Sequence, residues 1–158
     1  HADLRDEYLG DRFSHACVMS RIREEADAVQ VGIRSLSRGE AELIDERGYN
    51  VFWAKDIYDN RRWYDEAIDS LGGDVYITLD VDVFDTGIMP SVGTPEPGGL
   101  GWYNTLGFLR EVCMQRNVVG FDLVELCPDE RNPCPDFLAA RLMYKLIGYV
   151  MVSRKWRI

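Results

Sequence analysis

The feature that most constrains the fold is a regular alternation of short apolar runs with longer segments of helical period. Four runs have the length and composition of strands, at residues 29–33, 50–53, 74–81 and 117–126. Helical periodicity predicts helices at residues 15–28, 38–48, 60–71, 102–116 and 136–155. Apolar strands that alternate with helices are typical of a parallel sheet covered by helices on both sides. We therefore expect an α/β fold with a mostly parallel sheet.

Three carboxylates lie at the carboxyl end of the third predicted strand. Asp80 and Asp82 are followed by an irregular segment, residues 84–101, that contains Asp85 and holds three Pro and five Gly. Sites in open parallel sheets lie at the carboxyl ends of the strands, and long loops in compact domains are often functional. Glu125 lies at the corresponding end of the last predicted strand. The sequence therefore predicts a site at this edge of the sheet.

The paired carboxylates indicate a cation, because like charges held close together repel each other. Side chains two apart in a strand point the same way, so Asp80 and Asp82 are expected to converge. His1 and Asp3 share this spacing and would face one side if His1 ended a strand. Oxygen and imidazole ligands favour Mg²⁺ or Mn²⁺, and this number of ligands suits a two-metal site. An ordinary acidic loop is the alternative.

Charge and cysteine content weigh against several classes of function. The 158 residues carry 18 Lys and Arg against 27 Asp and Glu, a formal net charge of −9. Nucleic-acid binding is not expected, because it needs a basic surface. The four cysteines lack the CxxC spacing of zinc sites, and reduced thiols in the cytoplasm are expected. The most apolar segment, residues 136–155, is interrupted by Arg141 and Lys145 and is predicted to be a core helix and not a membrane span.

Three motifs taken together resemble those of the ureohydrolases, the arginase and agmatinase family of binuclear manganese enzymes. They are HAD at the start, TLDVDVFD followed by MPSVGTPEPGGLG, and GFDLVELCP. Their order and the length of chain that they span fit the family. The resemblance implies a three-layer α/β/α fold with a mostly parallel sheet. Because family chains are longer, residues 1–158 would be the carboxyl-terminal portion of a single domain whose amino-terminal strands are missing.

The resemblance implies which residues bind metal. His1 and Asp3 match the last two ligands of the family's D-x-H-x-D motif, and the [S/T]-x-D-x-D motif is matched by Thr78, Asp80 and Asp82. Asp80 would then bridge two manganese ions, with His1 and Asp82 on one ion and Asp3 on the other. The remaining His and Asp ligands of the family would lie upstream of His1. These 158 residues alone are therefore expected to bind metal weakly and to be inactive.

The resemblance also implies two catalytic and substrate-binding residues. Glu125 would hold the fork-shaped guanidinium group by paired hydrogen bonds, and His15 would protonate the leaving amine. A hydroxide shared by the two ions would be the nucleophile, and the products would be urea and a primary amine. From the residues alone, Glu125 could also be a surface carboxylate at the end of the sheet. Without the resemblance, His15 would be interpreted as a solvent-facing residue at a helix start.

Phe13 indicates which guanidinium compound is the substrate. Arginases have an N-x-H-G stretch whose Asn helps to hold the α-carboxylate of arginine, whereas RFSHACVM has Phe13 and Ala16 at the corresponding positions. The SHA form resembles that of agmatinases. We therefore expect hydrolysis of agmatine to putrescine and urea, with guanidinobutyrate and arginine as alternatives. An acidic chain also suits a small cationic substrate.

Thr86 is a departure from the family pattern. The position after Asp85 is usually Pro in the family, and Thr86 occupies it here. Proline restricts the backbone of a turn, so the turn after Asp85 is expected to be less rigid.

Two other functions remain open. VYITLDVDVFDT also resembles the first motif of haloacid-dehalogenase-like phosphatases, but the later Lys and acidic pair that such enzymes need do not follow in order. The stronger alternative is a non-catalytic family member that acts as an oligomerisation or metal-binding module. Family members typically form trimers or hexamers, so a homo-oligomer is expected.

Overall fold

A computed structural model describes residues 1–59 and 62–156 of the chain. The chain divides into two compact units, His1–Trp63 (unit 1) and Tyr64–Ile158 (unit 2). Each unit contains one pair of parallel strands and a buried apolar core. None of the helices in the described ranges is long and apolar enough to cross a lipid bilayer. The assignment of all 158 residues to a single domain stays a prediction.

Unit 1 is a strand–helix–strand unit with flanking helices. Its strands are β1 (Gln30–Ile33) and β2 (Val51–Trp53), and they pair in parallel. The helices are α1 (Val18–Glu25), α2 (Arg38–Arg47) and α3 (Ala54–Asp59), with a 3-10 turn at His15–Cys17 before α1. Parallel strands need a crossover connection, and α2 supplies it. The core of this unit is a cluster of buried residues, namely Ala2, Leu4, Ile33 and Ile44.

Glu40 links the start of α2 to the amino-terminal segment. The Glu40 residue is only 6% exposed. The carboxylate accepts hydrogen bonds from the Leu4 backbone N–H at 2.9 Å, the Ser37 backbone N–H at 2.7 Å and the Ser37 hydroxyl at 2.8 Å. Ser37 in turn accepts from the Glu40 backbone N–H, which completes a capping box. The opening residues are therefore anchored to α2.

Unit 2 is built on a second parallel ladder. Its strands are β3 (Asp74–Asp80) and β4 (Asn117–Val124). The helices are α4 (Trp63–Asp69), which precedes β3, α5 (Trp102–Gln115) and α6 (Cys134–Trp156). The larger core includes side chains from α4, β3, β4, α5, α6 and the segment after β3, among them Val75, Leu79, Leu109, Val118 and Leu142. Alternation along β3 leaves Tyr76 on the other face, where it is 60% exposed.

The predicted elements agree closely with the observed ones, and all four strands are confirmed. The main omission is α3, whose six residues are too few to show a helical period. The helix predicted at 60–71 is observed as α4, and residues 60 and 61 lie outside the described part of the chain. Strand β3 ends one residue earlier than predicted, because the chain enters a 3-10 turn at Val81–Val83.

The two ends of the long irregular segment lie side by side. Phe84 and Leu100 form an isolated parallel bridge, and the Asp85 backbone N–H donates to the Leu100 carbonyl at 3.0 Å. A Cβ atom at Gly99 would lie against the carbonyl group of Phe84, closer than a side chain can approach. Residues 85–99 therefore form a closed loop, here called the β3 loop, whose entry and exit touch.

We predict that Gly99→Ala lowers the free energy of unfolding by about 1–3 kcal/mol, because the added methyl group forces the two ends of the loop apart. Gly93→Ala in the same loop is the control, since no atom lies within 4 Å of a Cβ there. The control is expected to stay within about 0.5 kcal/mol of the parent protein. Denaturant unfolding of the full-length protein measures both variants. Equal midpoints for the two variants would contradict the close approach at Gly99.

Candidate active site

His1 and Asp3 lie in an irregular segment of unit 1. Neither residue belongs to a strand, so the strand geometry that was expected to turn them to one side is not observed. Asp3 has a φ of +53°, in the left-handed region that few residues other than Gly and Asn adopt. The segment bonds to a loop and to a helix, because the Ala2 N–H donates to the Ser35 carbonyl and the Asp3 carbonyl accepts from the Met19 N–H, both at 3.0 Å.

Asp80 and Asp82 lie on either side of the point where β3 ends. Asp80 is the last residue of the strand, and Asp82 is in the 3-10 turn that follows. The expectation that both side chains follow strand alternation is therefore wrong. The reason is that the ladder ends where Asp80 pairs with Val124, the last residue of β4. Asp82 is 5% exposed, so this residue is almost wholly shielded from solvent.

Glu125 follows β4 directly, at the same edge of the ladder as Asp80. The pairing of Asp80 with Val124 places the two carboxylate-bearing residues at neighbouring strand ends, as predicted from the sequence. Glu125 has a φ of +67°. A left-handed backbone costs a non-glycine residue about 1–2 kcal/mol, so neighbouring contacts must hold it there. The next residue, Leu126, forms an antiparallel bridge with Val92 of the β3 loop.

Asp122 joins β3 to β4 on the face opposite the core and was missed by the sequence analysis. Its carboxylate accepts a hydrogen bond from Thr78 Oγ1 at 2.8 Å and one from the Tyr76 hydroxyl at 2.9 Å. The bond to this carboxylate raises the pKa of the Tyr76 phenol, because ionisation would remove the donor. Thr78 belongs to the motif that contains Asp80. The signal in the sequence was a lone carboxylate inside an apolar strand.

His15 and Phe13 are exposed on unit 1. His15 begins the 3-10 turn, with its Nδ1 atom 3.5 Å from Ser14 Oγ. Its ring meets the edge of the Tyr8 ring, with the centroids 5.9 Å apart. The Phe13 residue is 84% exposed. Both side chains are therefore accessible to a ligand, and nothing in unit 1 itself covers them.

The candidate metal ligands divide between the two units. His1 and Asp3 belong to unit 1, and Asp80 and Asp82 belong to unit 2. Within residues 1–59 and 62–156, no group of three or more His, Cys, Asp or Glu side chains is arranged to hold a metal ion. The donor set itself, one imidazole and three carboxylates, has the hard character that Mn²⁺ accepts. The chemistry of the donors therefore fits the metal, and the ligand assignment stays a prediction.

An open groove of about 850 Å³ lies in unit 1 between residues 4–7, α1 and α2. Its walls carry guanidinium groups and carboxylates together, and it contains none of the six predicted site residues. The groove is therefore separate from the candidate site.

A sequence model of the arginase family matches residues 1–148. The chain belongs to the arginase family. This membership confirms the resemblance drawn from the three motifs and leaves the phosphatase alternative without support. Arginase-family ureohydrolases act on small guanidino compounds and are generally dependent on Mn²⁺.

Two curated relatives of this arginase-family chain show how much of a protein it represents. It is 46% identical over 151 residues to the N(1)-aminopropylagmatine ureohydrolase of Synechocystis sp.. The aligned region covers 94% of this chain and 49% of that relative. It is 39% identical over 149 residues to the agmatinase of Pyrococcus horikoshii. The aligned region covers 94% of this chain and 52% of that relative. The chain therefore spans about half the length of these relatives.

Solved structures of the family confirm the α/β arginase-like fold. The agmatine ureohydrolase of Thermoplasma volcanium superposes with a TM-score of 0.86 at 32% identity, covering 100% of this chain and 55% of that one. The arginase of Medicago truncatula superposes with a TM-score of 0.82 at 30% identity, covering 95% of this chain and 49% of that one.

We predict that Asp122→Asn lowers the pKa of the Tyr76 phenol towards its ordinary value of about 10, because a neutral amide favours the protonated phenol less than a carboxylate does. The pKa of Tyr76 is measured in the full-length protein from the ultraviolet absorbance of phenolate as the pH rises. The Tyr76→Phe variant is the reference that identifies the contribution of Tyr76. Because the folded-state pKa is raised, the stabilisation from this contact is complete below about pH 10 and is lost as the pH rises through the folded value.

The matched control for this titration is Asp74→Asn. Asp74 accepts a hydrogen bond from Asn117 Nδ2 at 2.8 Å, at the opposite end of the same ladder. This variant is expected to leave the Tyr76 titration unchanged. A Tyr76 titration that does not move in Asp122→Asn would show that the cross-strand bond is absent in solution.

Proposed function

We propose that these residues are the carboxyl-terminal part of a manganese-dependent ureohydrolase that hydrolyses agmatine to putrescine and urea. The observation that carries the proposal is the match to the arginase family over residues 1–148, together with relatives named agmatinase and N(1)-aminopropylagmatine ureohydrolase. The chain covers about half of those relatives, so the activity belongs to a full-length protein that supplies the remaining ligands.

The metal centre of this proposal is assigned by motif order. His1, Asp3, Asp80 and Asp82 would hold two Mn²⁺ ions, with Asp80 shared between them. The chemistry that manganese supplies in such a centre is the activation of water near neutral pH. Support comes from the hard donor set and from the position of Asp80 at the edge of the β3–β4 ladder.

Glu125 would bind and orient the guanidinium group. A carboxylate can accept two parallel N–H bonds from a guanidinium fork, which holds the planar group in one orientation. Glu125 suits this role because it lies next to the strand end that carries Asp80. The other predicted catalytic residue, His15, would donate a proton to the departing amine, and its exposed ring leaves it accessible to the substrate and to solvent.

Phe13 supports a substrate without an α-carboxylate. Its exposed ring offers no hydrogen-bond donor at the position where arginases have an Asn. Agmatine has a guanidinium group and an amine but no carboxylate, and the net charge of −9 favours such a cation. A second candidate is N(1)-aminopropylagmatine, the compound in the name of the Synechocystis relative at 46% identity. Guanidinobutyrate and arginine fit the chemistry of Phe13 less well, because both carry a carboxylate.

We further propose that the enzyme works in the cytoplasm as a homo-oligomer, either a trimer or a hexamer. All four cysteines are free thiols, as expected in a reducing compartment. Members of this family are typically oligomeric. A full-length protein that assembles but neither binds manganese nor releases urea would instead support the non-catalytic module.

We predict that the full-length protein with Mn²⁺ releases urea from agmatine at least about tenfold more efficiently than from arginine, a difference of about 1.4 kcal/mol. Phe13→Asn is expected to narrow that ratio of kcat/KM, because an amide can hold a carboxylate. Leu9→Asn is the control, since Leu9 is also exposed, at 90%, but does not occupy the position of the arginase Asn. Equal rates on both substrates would contradict the role of Phe13, and no urea from any of the four candidates would contradict catalysis.

We predict that Asp82→Ala abolishes turnover through loss of manganese, measured as metal content per chain. Glu125→Gln is expected to lower kcat/KM for agmatine by at least about tenfold while retaining manganese, because a bond to a charged group is worth about 1.5–3 kcal/mol. Loss of metal from Glu125→Gln would contradict its assignment to the substrate.

A further inference from the structure

We propose that Asp85 is a positioning residue that holds Glu125 in place through the β3 loop. The inference rests on the proposed function, because it gives Glu125 the task of binding the guanidinium group. Asp85 itself is committed to the backbone of the loop. It would therefore act on the substrate only through Glu125.

The carboxylate of Asp85 ties both ends of the β3 loop to one point. Its Oδ1 atom accepts the Gly87 backbone N–H at 2.9 Å, and its Oδ2 atom accepts the Gly98 backbone N–H at 3.1 Å. These glycines lie two and thirteen residues after Asp85. Hydrogen bonds from neutral N–H groups to a carboxylate are stronger than those to a neutral acceptor. One side chain therefore reinforces the loop closure that the Phe84–Leu100 bridge provides.

The same residue stabilises the turn in which Thr86 replaces the family's usual proline. The backbone carbonyl of Asp85 accepts the N–H groups of Ile88 and Met89, each at 3.0 Å. The side-chain bond to Gly87 spans the same turn. The turn where Thr86 was expected to lower rigidity therefore carries three hydrogen bonds to Asp85, from the N–H groups of Gly87, Ile88 and Met89.

The middle of the β3 loop lies against the residues that follow Glu125. The Ser91 carbonyl accepts the Cys127 backbone N–H at 2.9 Å, and Val92 forms an antiparallel bridge with Leu126. Ser91 and Val92 are 7% and 8% exposed, so the loop side of this contact is buried. A shift of the loop would therefore be transmitted to the backbone next to Glu125.

The backbone of Glu125 needs such support on both sides. Its left-handed conformation, with a φ of +67°, is unfavourable for glutamate and persists only where the surrounding structure imposes it. Strand β4 holds the residue on its amino side, and the bridge to Val92 holds Leu126 on its carboxyl side. If the loop loosens, Glu125 can relax to an ordinary φ, which moves its carboxylate away from the guanidinium position.

The test uses Asp85→Ala and Asp85→Asn in the full-length protein. Asp85→Ala is expected to raise KM for agmatine at least about tenfold with a smaller change in kcat and with manganese retained, because substrate capture is lost and not the metal. Asp85→Asn keeps one acceptor oxygen and is expected to lie between the parent and Asp85→Ala. It also keeps the proposal testable if the alanine variant fails to fold.

A second readout does not depend on activity. Hydrogen exchange followed by mass spectrometry is expected to show faster exchange in Asp85→Ala for peptides that contain the Cys127 amide and the β3 loop. Asp129→Ala is the matched control, because the Asp129 carboxylate also accepts a backbone N–H two residues ahead, that of Arg131 at 3.0 Å, but closes no loop. The control is expected to leave both exchange and KM unchanged.

The outcomes separate this inference from the proposed function. Unchanged exchange near Cys127 in both Asp85 variants overturns the inference, whether or not the parent protein releases urea. Loss of manganese from Asp85→Asn also overturns it, because Asp85 would then serve the metal. Faster exchange together with a parent protein that hydrolyses no guanidinium compound would support the link between Asp85 and the Glu125 segment while refuting the proposed function.

Discussion

The parallel pairing of β3 with β4 is the constraint on which the candidate site of unit 2 depends. The register places Asp80 opposite Val124, so that both strands end together. Glu125 comes next in the chain and lies at the same edge. Apolar packing with α5 and α6 stabilises one face of the ladder, and the hydrogen bonds to Asp122 stabilise the opposite face. A shift of one residue would turn each side chain of the strand to the opposite face.

Carboxylates perform distinct tasks in this acidic chain, although they look alike in the sequence. Glu40 is buried and anchors the opening segment of unit 1, and Asp122 links two strands. Asp85 accepts backbone N–H groups and closes a loop. Glu40 satisfies a donor that would otherwise be costly to bury, whereas the hydrogen bonds to Asp85 and Asp122 are exposed to solvent. A carboxylate that binds a cationic substrate, the role proposed for Glu125, must keep its oxygen atoms available for the substrate.

Local pattern located the strands and most of the helices, because apolar periodicity reports which residues face a core. The pattern gave wrong predictions where the conformation of a segment depends on contacts with residues distant in the sequence. Asp82 follows an apolar strand in sequence but lies in a 3-10 turn, since β4 offers no further residue for the ladder. His1 and Asp3 have strand spacing, but Ala2 between them bonds to a loop and Asp3 bonds to α1. A short helix such as α3 leaves too little pattern to detect.

The sequence by itself determined the family and the chemical nature of the candidate ligands, because these are properties of residue types in a given order. The tertiary structure alone decided how those residues are held. The bond from Thr78 to Asp122 joins residues 44 positions apart, and the bridge from Val92 to Leu126 fixes the carboxyl side of Glu125. Such contacts depend on the path of the backbone, which residue spacing along the chain does not encode.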